Sequence, residues 1–205
     1  ILMGYGILVY YAFYVISSEA ALKRLMPWFV GGIVVMGVIG ILPLIAENFQ
    51  VTVPEAGWTV SIFALVVAIS APITPLLFSG INRKKVMILA LGLFTLSNVI
   101  SMMTTNFTVL LISRALPAFL HPVYVSMAFT VAAASVSKEK APKAVAKVFI
   151  GVSAGMVLGV PVTSYIASEV SYSMGMLFFT VVNTLVLVAT ILFVPSMPVK
   201  EKLSY

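Results

Sequence analysis

The sequence contains no cysteine and no aspartate, and it has a single histidine. Without cysteine there is neither a disulfide framework nor a thiolate metal site. All six acidic residues are glutamates, and the lone histidine has no second imidazole with which to share a metal. Paired catalytic carboxylates, a nucleophile–base pair and a metal-ligand cluster are therefore missing at suitable spacing, which argues against an enzyme and implies no cofactor or metal. No phosphate-cradling glycine loop occurs, so the sequence gives no support to nucleotide-driven pumping. Charge of either sign is scarce: only 9% of the 205 residues are charged.

What the chain has in abundance is apolar surface. It is 61% hydrophobic, with a mean hydropathy of +1.16. A soluble domain needs more polar surface than this to cover its core, so the composition belongs to an integral membrane protein. Apolar segments of about 17 to 25 residues cross the hydrocarbon core as helices. Six follow one another at 28–47, 57–79, 86–104, 108–134, 146–168 and 174–195. The expected fold is an all-α bundle of six transmembrane helices over 28–195.

The net charge of +6 would suit nucleic acid, but the placement of the bases excludes it. Lys23 and Arg24 precede the first span, and Arg83, Lys84 and Lys85 follow the second. Lys138, Lys140, Lys143 and Lys147 lie between the fourth and fifth, and Lys200 and Lys202 follow the sixth. Connections 48–56, 105–107 and 169–173 carry no Lys or Arg. Eleven of the twelve bases thus fall on one side, which the positive-inside rule makes cytoplasmic, loops 80–85 and 135–147 included. Residues 1–17, ILMGYGILVYYAFYVIS, admit two readings: a further span, or an interfacial helix suited to its five aromatics. With the basic connector they make a unit over 1–27, and 196–205 reads as the start of a cytoplasmic linker.

Local signals fit this map. TVPE at 52–55 reads as a capping box, with Thr52 capping the second helix and Glu55 answering from its third position. Trp28 and Trp58 fall near span ends, as an aromatic belt requires. Glu47 and Asn48 close the first span at its outer end.

The twelfth base, Arg114, lies inside the fourth span, in SRALPAFLHP at 113–122. It sits about 10 Å in from the outer end, and His121 about another 10 Å further, near the midplane. Seven residues make nearly two helical turns, so both side chains leave the same face. An arginine keeps its charge, so it should face a protein interior or wet cavity, with snorkelling to the outer headgroups as the competing reading. His121 suits a proton or polar-substrate site, or equally a buried histidine bonded to a backbone carbonyl. Pro117 and Pro122 each remove a helical hydrogen bond, and broken helices at membrane depth often line binding sites. In the fifth span Gly151, Gly155 and Gly159 recur every four residues, giving a smooth face for close helix packing before Pro161. Gly31, Gly32, Gly37 and Gly40 give the first span a similar character.

These residues resemble the major facilitator superfamily, and within it the drug:proton antiporter-1 branch near the bacterial arabinose-efflux and purine-efflux permeases. The resemblance covers about 28–199, from GILPLIAENFQVTVPEAG (40–57) through FALVVAISAP (63–72). It implies helices one to six of a twelve-helix transporter. SGINRKKV (79–86) is similar to the family's loop motif between helices two and three: Arg83, Lys84 and Lys85 match its basic cluster, while Ser79 replaces the usual aspartate and Asn82 a common glycine. Arg114 matches the family's membrane-embedded arginine, and His121 a histidine of efflux members. The stretch through Pro161 resembles the antiporter motif, with Ser164 and Tyr165 replacing its terminal glycines.

What the resemblance implies is secondary active efflux of a small organic molecule such as a drug, sugar or nucleobase, with protons moving inward across a cell membrane. Arg114 would supply fixed positive charge, His121 would contact substrate or titrate, and the Gly151–Pro161 stretch would let helix five slide or bend. Glu47 and Asn48 complete the candidate substrate and proton pathway. Six helices do not enclose the family's cavity, so a second half is expected from the same gene, a split partner or a second copy. The rival reading is a non-transporting membrane interaction subunit that binds through its glycine faces.

Overall fold

A computed structural model describes residues 40–134, 136–194 and 196, leaving aside the side chains at 147, 148, 150–160 and 193. The unit expected over 1–27, most of the first span and the linker beyond residue 196 lie outside the described residues, as do Gly31, Gly32 and Gly37. Among the described residues every regular element is helical. They are α1 (Leu42–Phe49), α2 (Val53–Ala56), α3 (Trp58–Ser70), α4 (Thr74–Leu77), α5 (Arg83–Met103), α6 (Phe107–Ala134), α7 (Ala141–Glu169) and α8 (Tyr172–Phe193), with a single 3-10 turn at Lys138–Lys140. Segment Val53–Ser70 and helices α5, α6 and α8 are long and apolar enough to cross a membrane. At 29 residues α7 has the length to do the same.

Polar residues set where these helices start. A helix leaves its first four N–H groups unpaired, and a short polar side chain just upstream accepts from them. Thr52 Oγ1 accepts from the Glu55 N–H at 3.3 Å while the Thr52 N–H donates to Glu55 Oε2 at 2.7 Å, so the capping box is present. Asn82 Oδ1 caps α5 through the Lys84 N–H at 3.0 Å. Asn106 Oδ1 caps α6 through Thr108 and Val109 at 2.9 and 3.3 Å, and Ser171 Oγ caps α8 through Met174 at 3.2 Å. At the end of α1, Gln50 takes a left-handed conformation (φ 54°), and its side-chain Nε2 donates to the Glu47 carbonyl at 2.8 Å.

The second span differs from expectation. Instead of one run over 57–79, α3 stops at Ser70, and a turn at 71–73 separates it from α4. Pro72 and Pro75 supply the reason, since each lacks the N–H that would continue the ladder. Across the turn the Ser70 carbonyl accepts from both the Ile73 N–H and Thr74 Oγ1, each at 3.0 Å. In α6, by contrast, the chain stays helical through both Pro117 and Pro122, so the break expected there does not occur.

Helix α6 is the hub, packed on α3, α4, α5 and α7, while α5 and α8 form the most extensive pair. The core between them is built of Leu91, Phe94, Leu110, Val123, Met176 and Phe179, all buried. The outer faces remain apolar: Ile112, Leu116 and Phe119 are exposed along α6, as are Leu185 and Leu192 on α8. Such faces need lipid, or another apolar surface, to cover them. A Cβ added at Gly175 of α8 would meet the Ala167 Cβ of α7 at 3.0 Å, so this glycine permits the close α7–α8 approach.

Candidate functional site

The site begins with a missing proton. Pro117 has no N–H, so the Ser113 carbonyl one turn earlier loses its helical partner. Ser97 of α5 takes that place, donating its hydroxyl to the Ser113 carbonyl. The Ser113 hydroxyl donates to the Leu110 carbonyl at 2.7 Å, and with its one hydrogen thus committed it accepts from Ser101, 3.0 Å away. From α8 the Tyr172 hydroxyl donates to the Ser101 carbonyl at 3.1 Å. A seam of polar groups therefore joins α5, α6 and α8 near one end of the bundle. Sequence reasoning passed over Ser97, Ser101, Ser113 and Tyr172. The available signal was a set of hydroxyls and a proline one turn apart in otherwise apolar runs.

Arg114 sits in this seam, 3% exposed, so its guanidinium lies inside the protein rather than among headgroups. Its Nη2 donates to Met176 Sδ at 3.2 Å, and its Nε makes no hydrogen bond. A thioether is a weak acceptor, and isolating a charge from water costs roughly several kcal/mol. Among the described residues no acid compensates it: Glu47, Glu55, Glu139 and Glu169 are all exposed. Asn98 is fully buried between Ser97 and Ser101 in sequence, and neither amide atom has a partner. The Ser97 and Ser101 contacts to Ser113 set Asn98 at the level of Arg114. Two further buried groups are unpaired, Asn183 on α8 and Thr163 Oγ1 on α7.

His121 occupies different surroundings. Its ring meets Phe63 of α3 edge-on at 5.5 Å and Phe94 of α5 at 6.3 Å. Its Nε2 is buried and makes no hydrogen bond. The residue before Arg114 meets α5 through its carbonyl at Ser97, and His121 meets α5 at Phe94. The third helix is α8 beside the arginine and α3 beside the histidine.

Glu47 and Asn48 are exposed at the end of α1. The neighbouring Phe49 packs against Phe107 (6.1 Å) and edge-on against Tyr172 (5.5 Å), capping the seam with aromatic rings. At the opposite end of the bundle, Ser79 donates to the Leu76 carbonyl at 2.8 Å. Asn82 Nδ2 donates to Ser196 Oγ at 2.7 Å, and Lys84 Nζ to the Ile191 carbonyl at 2.8 Å, where it faces the negative end of α8. Arg83 and Lys85 share this end with Lys138, Lys140 and Lys143. Gly151, Gly155 and Gly159 lie within α7, but their packing falls outside the described residues; Pro161 is exposed within the same continuous helix. Ser164 Oγ donates to the Gly40 carbonyl at 3.0 Å, tying α7 to the first span, and Tyr165 is exposed.

Comparison with known proteins agrees with this architecture. The family model described as Major Facilitator Superfamily matches residues 28–204. The uncharacterized MFS-type transporter YtbD of Bacillus subtilis (strain 168) is 31% identical over 158 residues, covering 77% of this chain and 40% of that protein. The inner membrane transport protein YdhP of Escherichia coli (strain K12) is 33% identical over 139 residues, covering 68% and 36% respectively. AraJ of the same strain is 27% identical over 164 residues, covering 80% and 42%. The chain thus spans about two fifths of the length of the relatives it matches.

Proposed function

The chain belongs to the Major Facilitator Superfamily, a family of multi-pass membrane transporters, and on that premise we propose that it supplies one half of a secondary active exporter. The solute is a small organic molecule of the drug, sugar or nucleobase class, and inward proton movement drives its exit by alternating access between this half and a second six-helix half. The setting is the cell membrane, with the basic end formed by loops 80–85 and 135–147 in the cytoplasm.

One observation supports this reading above the others: a permanently charged arginine is held inside an apolar helix with no acidic partner among the described residues. Such a group is costly, and intramembrane charges mark substrate and ion pathways. Arg114 acts as fixed positive charge on the solute or on a protonatable group of the second half. Glu47 and Asn48 serve at the outer rim, and His121 presents the polar edge of its ring at mid-depth. The Gly151–Pro161 stretch provides the surface on which the halves move.

Full-length protein reconstituted in vesicles should release solute when a pH gradient is imposed. Arg114→Ala should abolish that release while the protein still elutes as a folded species. Wild-type release by this variant would remove the arginine from the mechanism.

A further inference from the structure

The seam around Arg114 has spent its hydroxyls. Ser97, Ser113 and Tyr172 donate to the carbonyls of Ser113, Leu110 and Ser101, and Ser101 donates to Ser113. At the level of Arg114, Arg114 Nε and Asn98 Nδ2 are buried donors without a partner. Two unused donors at one level, one of them charged, call for an acceptor that carries negative charge. Among the described residues no acid reaches the group, because all four glutamates there are exposed. The other two, Glu19 and Glu201, fall outside the described residues, in the segments flanking the six-helix bundle. The Asn98 carbonyl oxygen could accept from the guanidinium, but a neutral oxygen leaves the charge uncompensated and strands the amide N–H.

We propose that Arg114 and Asn98 form a buried binding site for a small monovalent carboxylate in the seam between α5, α6 and α8. The anion would lie against the guanidinium through charge-assisted hydrogen bonds, with the Asn98 amide as the second donor. The aromatic cap of Phe49, Phe107 and Tyr172 separates this position from the adjacent end of the bundle, which favours a compact ligand. The site stands apart from the direction of transport and from any pH gradient, so failure of the exporter reading leaves it intact.

The test is thermal unfolding of full-length protein in detergent, with formate titrated against gluconate at constant ionic strength. The melting temperature should rise saturably with formate in the wild type. Arg114→Gln should lose the response, Arg114→Lys should keep it in weakened form, and Asn98→Leu should weaken half-saturation by about 10-fold, the worth of one charge-assisted hydrogen bond. Acetate, butyrate and hexanoate then separate two sources of the same chemistry. A response confined to formate marks a resident ion, and one that persists with chain length marks the carboxylate end of an organic solute. No saturable response in the wild type, or one unchanged in Arg114→Gln, would overturn the proposal. If Arg114→Gln does not fold, unchanged half-saturation in both Arg114→Lys and Asn98→Leu overturns it equally.

Discussion

Arg114 and His121 leave the same face of one helix, yet one stands among hydroxyls and the other between phenyl rings. The arginine's level is polar because Pro117 frees a carbonyl that Ser97 must answer, and further hydroxyls follow from α5 and α8. The histidine's level is apolar because α3 and α5 bring Phe63 and Phe94 against it. Spacing along a helix decides which way a side chain points; the helices that cross there decide what it can do. The charge lies beside a hydrogen-bonded seam that leaves it uncompensated, and the titratable ring lies where packing dominates.

The contrast can be broken from either side. The largest effect should come from the aromatic side: Phe94→Ala removes a fully buried ring and should destabilise full-length protein by about 3–5 kcal/mol in denaturant titration. Next is the seam. Ser97→Ala leaves the Ser113 carbonyl unanswered and should cost about 1–3 kcal/mol. Adding Pro117→Ala restores a helical donor to that carbonyl, so the double variant should recover most of the loss. Additive losses would show that Ser97 does not act through the proline's vacancy. Tyr172→Phe, which removes one hydrogen bond, should cost about 1 kcal/mol by the same measurement. His121→Phe should change stability by less than about 1 kcal/mol, since a third ring suits the Phe63–Phe94 contact. It should lower gradient-driven release by roughly threefold to tenfold, the worth of one neutral hydrogen bond, without abolishing it. Complete loss in that variant would place the histidine beside the arginine in importance and erase the distinction.

Much of this arrangement was legible in the residues alone. Apolar runs and the alternation of basic loops disclosed the spans, and Thr52 with Glu55 disclosed the start of the second. The burial of Arg114 follows from a charge that cannot be shed, seven residues into an apolar run. The partners were not legible. Nothing local to Ser97 connects it with a proline twenty residues away, and nothing near Arg114 names Met176 on α8. These contacts depend on how antiparallel helices register, which periodicity does not encode. The split of the second span was legible in Pro72 and Pro75 but was outweighed by the length of the apolar run. Asn98 and Asn183 were hidden for the opposite reason, as single polar residues in strongly apolar stretches.

The α5–α8 pair is tied at both extremities, by Tyr172 to the Ser101 carbonyl and by Lys84 to the Ile191 carbonyl. A one-turn slip of either helix would tear both ties at once. The two helices therefore behave as a single strut, and whatever shape change the bundle undergoes has to be taken up elsewhere, at the proline-split second span or along α7.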